Sequence, residues 1–355
     1  MVKMTIDSKN FTNKCVLPFI EYDFSSNKPC CMLTNYKQEK DFNRLIEDHK
    51  NNIKSSFCNS CWHHESISQH SKRLNHNKSF SKYITLDTPT LKSVVISTGN
   101  VCNLSCVTCG VENSTGWKSK LKFMEQTGKN KITTSWNTIR KNFPKNIDWS
   151  QIENVEFIGG ETLYSKELWE YLEKLNKNTS ISLLTNGTIL LNKSQLAKVK
   201  EYKNMHITFS LDGVDKIFEY LRQPAKWLQV KENIEYYKEY LGIDNIGINV
   251  TISNMNIFYI DHILLELAKI ISKKHSYFFV QKPEIFAVTN LTKKIGKIIE
   301  EKNPYFFSKT KLKWAGDKQS MKNFLKNTNL QDQFSNRFMK NYLPELYQLI
   351  QEEIN

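Results

Sequence analysis

Six short apolar runs separated by helical patterns constrain this chain more than any other feature of its sequence. The runs are Leu91 to Ser97, Asn154 to Ile158, Ser180 to Thr185, His206 to Leu211, Ile246 to Ile252 and Tyr277 to Gln281. Each reads as a buried strand. Helical patterns over Ser165 to Asn176, Lys193 to Tyr202, Lys226 to Leu241, Ile257 to Lys274 and Thr292 to Glu301 separate or follow them, and another at Ser135 to Asn142 precedes the second strand. Strands alternating with helices predict parallel βαβ units. Six units predict an α/β fold with an open, partial (β/α)6 barrel, not the closed eight-fold one. Residues 1–88 are irregular, with a strand-like stretch from Val16 to Phe24 and a helical segment near Asp41 to Asn52, and Asp87 to Thr90 reads as a boundary. The expected division is a small first domain (1–88), the barrel (89–302) and a helical C-terminal extension (303–355).

All eight cysteines, Cys15, Cys30, Cys31, Cys58, Cys61, Cys102, Cys106 and Cys109, lie in the first third of the chain. A secreted, disulfide-stapled protein spreads its cysteines through the fold it ties together. Here they cluster. The stretch Met1 to Asn13 has no apolar signal-peptide core, and no run reaches the roughly 18 apolar residues of a membrane span. The expectation is a soluble, cytoplasmic, metal-binding protein with no membrane partner.

Cys102, Cys106 and Cys109 form C-x3-C-x2-C directly after the first strand. Three thiolates this close can hold three irons of one cubane and leave the fourth iron open to a small molecule. A structural zinc site wants four protein ligands. No fourth cysteine is near, and histidine is absent from 77 to 205.

The chain carries a formal charge of +14, which raises the question of a nucleic-acid partner. Only five of its 50 basic residues are arginine, however. Readers of phosphate and guanine depend on arginine forks, so the charge argues weakly for specific nucleic-acid binding.

The C-x3-C-x2-C loop after a first barrel strand resembles the radical S-adenosylmethionine (radical SAM) superfamily. The second strand carries the resemblance further, ending in Gly159-Gly160-Glu161. The resemblance implies a 4Fe–4S cluster on the three cysteines. It also implies that the glycines let the backbone approach the methionine amino group of SAM while Glu161 helps hold it. Later strand ends fit as well: Thr185 and Asn186, then Ser210 and Asp212 where the family contacts the SAM ribose, and Asn249 in another SAM-contacting region. Arg222 matches a family arginine that reaches the SAM carboxylate; a salt-bridged arginine is the competing reading. The family's aromatic residue before the third cysteine is Thr108 here, which leaves the adenine contact open.

The first domain resembles the twitch form of the SPASM auxiliary-cluster module, placed ahead of the barrel. Cys15, Cys30, Cys58 and Cys61 are the implied ligands of a second 4Fe–4S cluster. Cys30 is preferred over Cys31 because the family ligand follows proline directly. A four-cysteine zinc site fits the same ligands. His63 and His64, beside Cys61, read as bystanders.

The expected function follows from the resemblance. Reductive cleavage of SAM, fed by a flavodoxin- or ferredoxin-like donor, yields a 5′-deoxyadenosyl radical that abstracts hydrogen from a substrate. The substrate is left open between a peptide or protein side chain and a small molecule such as a sugar or cofactor precursor. An RNA-directed role and a non-catalytic iron–sulfur or zinc protein are the alternatives.

Overall fold

The computed structural model describes residues 13–37, 39–67, 71–128, 147–272 and 275–355. The helical stretch expected at Ser135 to Asn142 lies outside them. One parallel sheet runs through the molecule in strictly sequential order: β1 (Glu21–Asp23), β2 (Ser93–Ser97), β3 (Asn154–Ile158), β4 (Ser180–Thr185), β5 (Asn204–Ser210), β6 (Ile246–Ile252) and β7 (His275–Phe279). Every neighbouring pair is parallel, which the intervening helices allow. β1 and β7 are not paired with one another, so the curled sheet stays open.

The sheet has seven strands where six were expected. The additional strand comes from the first segment. The stretch Val16 to Phe24 is not one strand: Pro18 sets up a single helical turn, Leu17–Ile20, and only Glu21–Asp23 continue as strand. Glu21 pairs with Ser93 and Asp23 with Val95, so residues before 88 complete the barrel sheet's edge.

Side-chain alternation sorts the two faces of the sheet. Val155, Phe157, Ile181, Leu183, Ile207 and Phe209 are fully buried and form the main core. The intervening residues are half-buried, and Ile158, Leu184, Ser210, Thr251 and Phe278 face a cavity at the C-terminal strand ends.

Met321, Phe324, Leu346 and Ile350 belong to the same core, so the C-terminal helices Lys318–Ser335 and Pro344–Ile354 pack on the barrel. A second, smaller cluster gathers Cys15, Leu17, Phe19, Cys30, Leu45, Cys58 and Trp62 in the first segment. Among the described residues no helix is long and apolar enough to cross a membrane.

Candidate active site

The loop after β2 is held from several sides. Ser105 N–H donates to the Gln223 carbonyl at 2.7 Å and Val107 N–H to the Leu221 carbonyl at 2.8 Å. Thr115 Oγ1 accepts from Cys102 N–H at 3.1 Å, and Trp117 Nε1 donates to the Cys106 carbonyl at 2.8 Å. From the C-terminal helix, Gln331 Nε2 donates to the Val107 carbonyl at 3.2 Å. Loops this constrained present their side chains with little entropy left to lose.

Cys102, Cys106 and Cys109 all line the cavity, whose volume is about 650 Å³. Small-molecule sites span roughly 300–1,000 Å³. Burial pushes the Cys106 thiol up to about 11 and the Cys109 thiol up to about 12, and raises Cys102 as well. Left to the protein alone, these thiols stay protonated at neutral pH. A bound cation is what would ionise them. Three thiols on one braced loop, facing a cavity, fit a cluster with one open iron.

Gly159 and Gly160 sit where no side chain fits. A Cβ on Gly159 would stand 2.2 Å from Thr98 Oγ1, and one on Gly160 2.7 Å from the Val101 carbonyl oxygen. Gly160 N–H donates to the Gly99 carbonyl and Glu161 N–H to the Val101 carbonyl, each at 2.8 Å. The glycines let the cysteine loop lie against the end of β3. Both still line the cavity.

Glu161 is 1% exposed and does not line that cavity. Its carboxylate accepts from Thr185 Oγ1 at 2.8 Å, Asn186 N–H at 2.7 Å and Leu163 N–H at 3.1 Å. Burial raises its pKa while these donors oppose the rise. Glu161 therefore ties the end of β3 to the end of β4.

Thr185 and Asn186 line the cavity. Asn186 Nδ2 donates to Asn103 Oδ1 at 2.9 Å and lies 3.8 Å from Cys102 Sγ, linking this turn to the cysteine loop. Gly187 follows at φ 79°, a left-handed turn that glycine adopts freely.

Ser210, Asp212 and Arg222 also face the cavity. Arg222 Nε lies 2.7 Å from Asp212 Oδ2, and its Nη2 donates to Asp212 Oδ1 at 3.0 Å. The fork expected for a carboxylate of SAM is thus engaged by Asp212, with Nη1 outside the pair.

On β6, Asn249 accepts from Ser276 Oγ at 3.2 Å, and Thr251, two residues on along the same face, lines the cavity.

Two cavity residues come from the first segment: Met32, which the sequence reading did not single out, and His64, which it read as a bystander. Helix Asn59–Ile67 carries both Cys61 and His64, three residues apart. That spacing puts two side chains on one helix face, which was the available signal. His64 is buried, and Gln281 Nε2 stands 3.2 Å from its Nε2. Burial lowers its pKa.

Cys15, Cys30, Cys58 and Cys61 line one small space of about 10 Å³ together with Met32 and Arg73. Burial pushes Cys58 up to about 12 and raises Cys15 and Cys61. His49, also missed, lies 3.6 Å from Cys58 Sγ through its Nε2. Cys31 is exposed, outside this space, and receives Lys72 Nζ at 3.5 Å. Among the described residues, no three His, Cys, Asp or Glu side chains converge as a single-ion site requires.

Residues 96–271 match the family model described as the radical SAM superfamily. A probable GTP 3′,8-cyclase of Methanocella arvoryzae is 26% identical over 126 residues, 36% of each chain. An uncharacterized protein of Methanocaldococcus jannaschii is 26% identical over 198 residues, 53% of this chain and 62% of that one. The chain thus covers less than two thirds of either curated relative. Among solved structures, native anSMEcpe with bound AdoMet aligns with a TM-score of 0.41 at 16% identity, covering 63% of each chain.

Proposed function

We propose that the chain is a radical SAM enzyme that modifies a substrate in the cavity shared by the barrel and the first segment, with Cys102, Cys106 and Cys109 holding a 4Fe–4S cluster. Cys102, Cys106 and Cys109 would hold the cluster, which with SAM bound would supply the one electron that cleaves SAM to methionine and a 5′-deoxyadenosyl radical for hydrogen abstraction from the substrate. The observation that carries this reading is the position of three half-buried thiols on one braced loop at the cavity wall.

The chain's own residues have separable tasks. Gly159 and Gly160 seat the cysteine loop, and Glu161 locks the neighbouring strand ends. Thr185, Asn186, Ser210, Asp212 and Arg222 offer polar groups to the ribose and amino-acid parts of SAM. The lining also includes Met32, Phe278, Phe279 and Val280, with His64, Gln281 and Lys282 as its polar groups. Apolar surface with a few polar anchors suits a peptide or protein side chain. A small-molecule substrate is the alternative.

We assign Cys15, Cys30, Cys58 and Cys61 to a second metal centre in a twitch-like auxiliary segment spanning residues 1–88, with Cys31 outside the ligand set. A second 4Fe–4S cluster is supported by thiols that share a space without converging on one point, since a cubane spreads its irons apart. A zinc ion held by the same four cysteines is the second reading. The proposed electron donor is a flavodoxin- or ferredoxin-like protein.

The test is anaerobic reconstitution followed by dithionite reduction in the presence of SAM. Release of 5′-deoxyadenosine by the wild type but not by Cys102→Ala supports the assignment, and equal release or none from both rejects it. Iron, sulfide and zinc analysis decides the second centre: about one zinc and only four irons per chain rejects a second cluster.

A further inference from the structure

Lys120 is a charged side chain with 0% exposure. It belongs to helix Trp117–Gly128, whose buried residues are Trp117, Lys120 and Met124, so a lysine occupies the helix's core-facing stripe. Its Nζ donates to the Ser105 carbonyl at 2.9 Å and to Gln223 Oε1 at 3.3 Å, and lies 4.5 Å from the Trp117 ring centroid. Among the described residues, no carboxylate oxygen stands within ion-pair distance of it. Two neutral acceptors and a ring face replace the hydration of the ammonium.

Burying a cation without an opposite charge is costly. Proteins keep such groups where a charge of opposite sign arrives later or where function needs the field. Here the ammonium sits directly behind the cysteine loop, since Ser105 precedes Cys106. Gln223, its other acceptor, also takes the Ser105 N–H through its carbonyl. Trp117, beneath the amine, donates to the Cys106 carbonyl. The amine therefore shares both its supports with the loop.

We propose that Lys120 is the internal counter-charge of the cysteine loop, offsetting the negative charge that three thiolates and their cluster bring and raising the cluster's reduction potential. This rests on the reading that the loop holds a 4Fe–4S cluster. Net charge and nearby dipoles are among the levers that set such potentials. Lys120 acts at a distance, through the field at the loop, and is a positioning and tuning residue. Burial pulls its pKa down to about 7, and Cys106, Cys109 and Asp332 are the groups that favour its charged form.

The test compares full-length wild type, Lys120→Met and Lys120→Gln, reconstituted anaerobically and titrated with EPR detection of the reduced cluster. The signal that changes on adding SAM reports the loop cluster. The expected result is a fall in midpoint potential in both variants, equivalent to at least a tenfold change in the oxidised-to-reduced ratio, about 59 mV for a one-electron couple. In urea, the metal-free variants should unfold at the same or higher denaturant concentration than metal-free wild type, because a buried charge has gone. Lys120→Gln retaining the wild-type potential overturns the proposal, leaving only a hydrogen bond to Ser105. Folded variants that bind no iron at the loop also overturn it, making Lys120 a brace. A wild type that takes up no iron there defeats the cluster reading itself, and the tuning role with it.

Discussion

Arg222 and Asp212 form a buried two-point pair at the cavity wall, with Nε at 2.7 Å and Nη2 at 3.0 Å from the two carboxylate oxygens. Asp212 also accepts from Thr251 N–H at 2.9 Å, so one carboxylate joins the ends of β5 and β6 to the arginine. The Asp212 and Arg222 side chains are 5% and 12% exposed, which keeps solvent screening low. Removing one partner of a buried pair costs about 3–5 kcal/mol, because the other is left buried and uncompensated. Asp212→Asn is expected to destabilise the metal-free protein by about that amount. Urea denaturation showing a loss below about 1 kcal/mol would mean that the pair contributes no more than a surface bridge.

Gly160 tests the seating of the cysteine loop. A Cβ there would meet backbone atoms of Asn100 and Val101 at 2.7–2.8 Å, and backbone cannot step aside as a flexible side chain can. Overpacking of this kind costs about 1–3 kcal/mol. Gly160→Ala should fold but displace the loop, with iron uptake and 5′-deoxyadenosine release both falling at least tenfold. Normal iron content with normal SAM cleavage would show that the loop accommodates the methyl group.

The pH dependence of the metal-free protein follows from Cys106 and Cys109. Burial raises them to about 11 and about 12 from an ordinary value of 9.0, so the folded state binds protons that the unfolded state releases. Their contribution to stability is fully present below pH 9 and is lost as pH rises toward 11 and 12. Thermal melts from pH 8 to 10.5 should show a falling midpoint, flattened in the Cys106→Ser, Cys109→Ser double variant. Cluster binding runs the other way, since metal must displace these protons. Iron uptake, followed by its visible absorbance, should increase from pH 6.5 to 8.5.

Metal removal should act on the first segment before the barrel. Its buried cluster is small and includes Cys15, Cys30 and Cys58, whereas the barrel core extends to the C-terminal helices. Small cores depend on metals to hold their fold. Anaerobic chelation, or Cys58→Ser, is expected to expose residues 13–88 to limited proteolysis while the barrel stays protected. Unchanged protection would show that the four thiols pack adequately without a metal.

The strands were legible because their signal is local. β3, β4 and β6 match the expected runs from Asn154 to Ile158, Ser180 to Thr185 and Ile246 to Ile252, each an apolar stretch bounded by polar residues. The cysteine loop was legible for the same reason, its three thiols lying within eight residues. β1 was not, because a three-residue strand after a proline turn has too little pattern of its own and exists by pairing with β2. The partners of Glu161 within the fold were not legible, since nothing in Gly-Gly-Glu reveals that Thr185 and Asn186 will cap its carboxylate.

The sequence by itself determined the alternation of strand and helix, the parallel sheet it implies, and the three thiols grouped on one loop. These depend on spacing along the chain, which folding does not alter. Tertiary structure decided which side chains face the cavity. It brought His64 and Met32 from the first segment to the cysteine loop, left Cys31 beside Lys72 and outside the four-cysteine space, and buried Lys120 behind Ser105. Those outcomes depend on contacts between residues up to about 220 positions apart, such as Gln281 with His64. Their energies are set by burial and by the partners that burial imposes, neither of which is written in any local stretch of sequence.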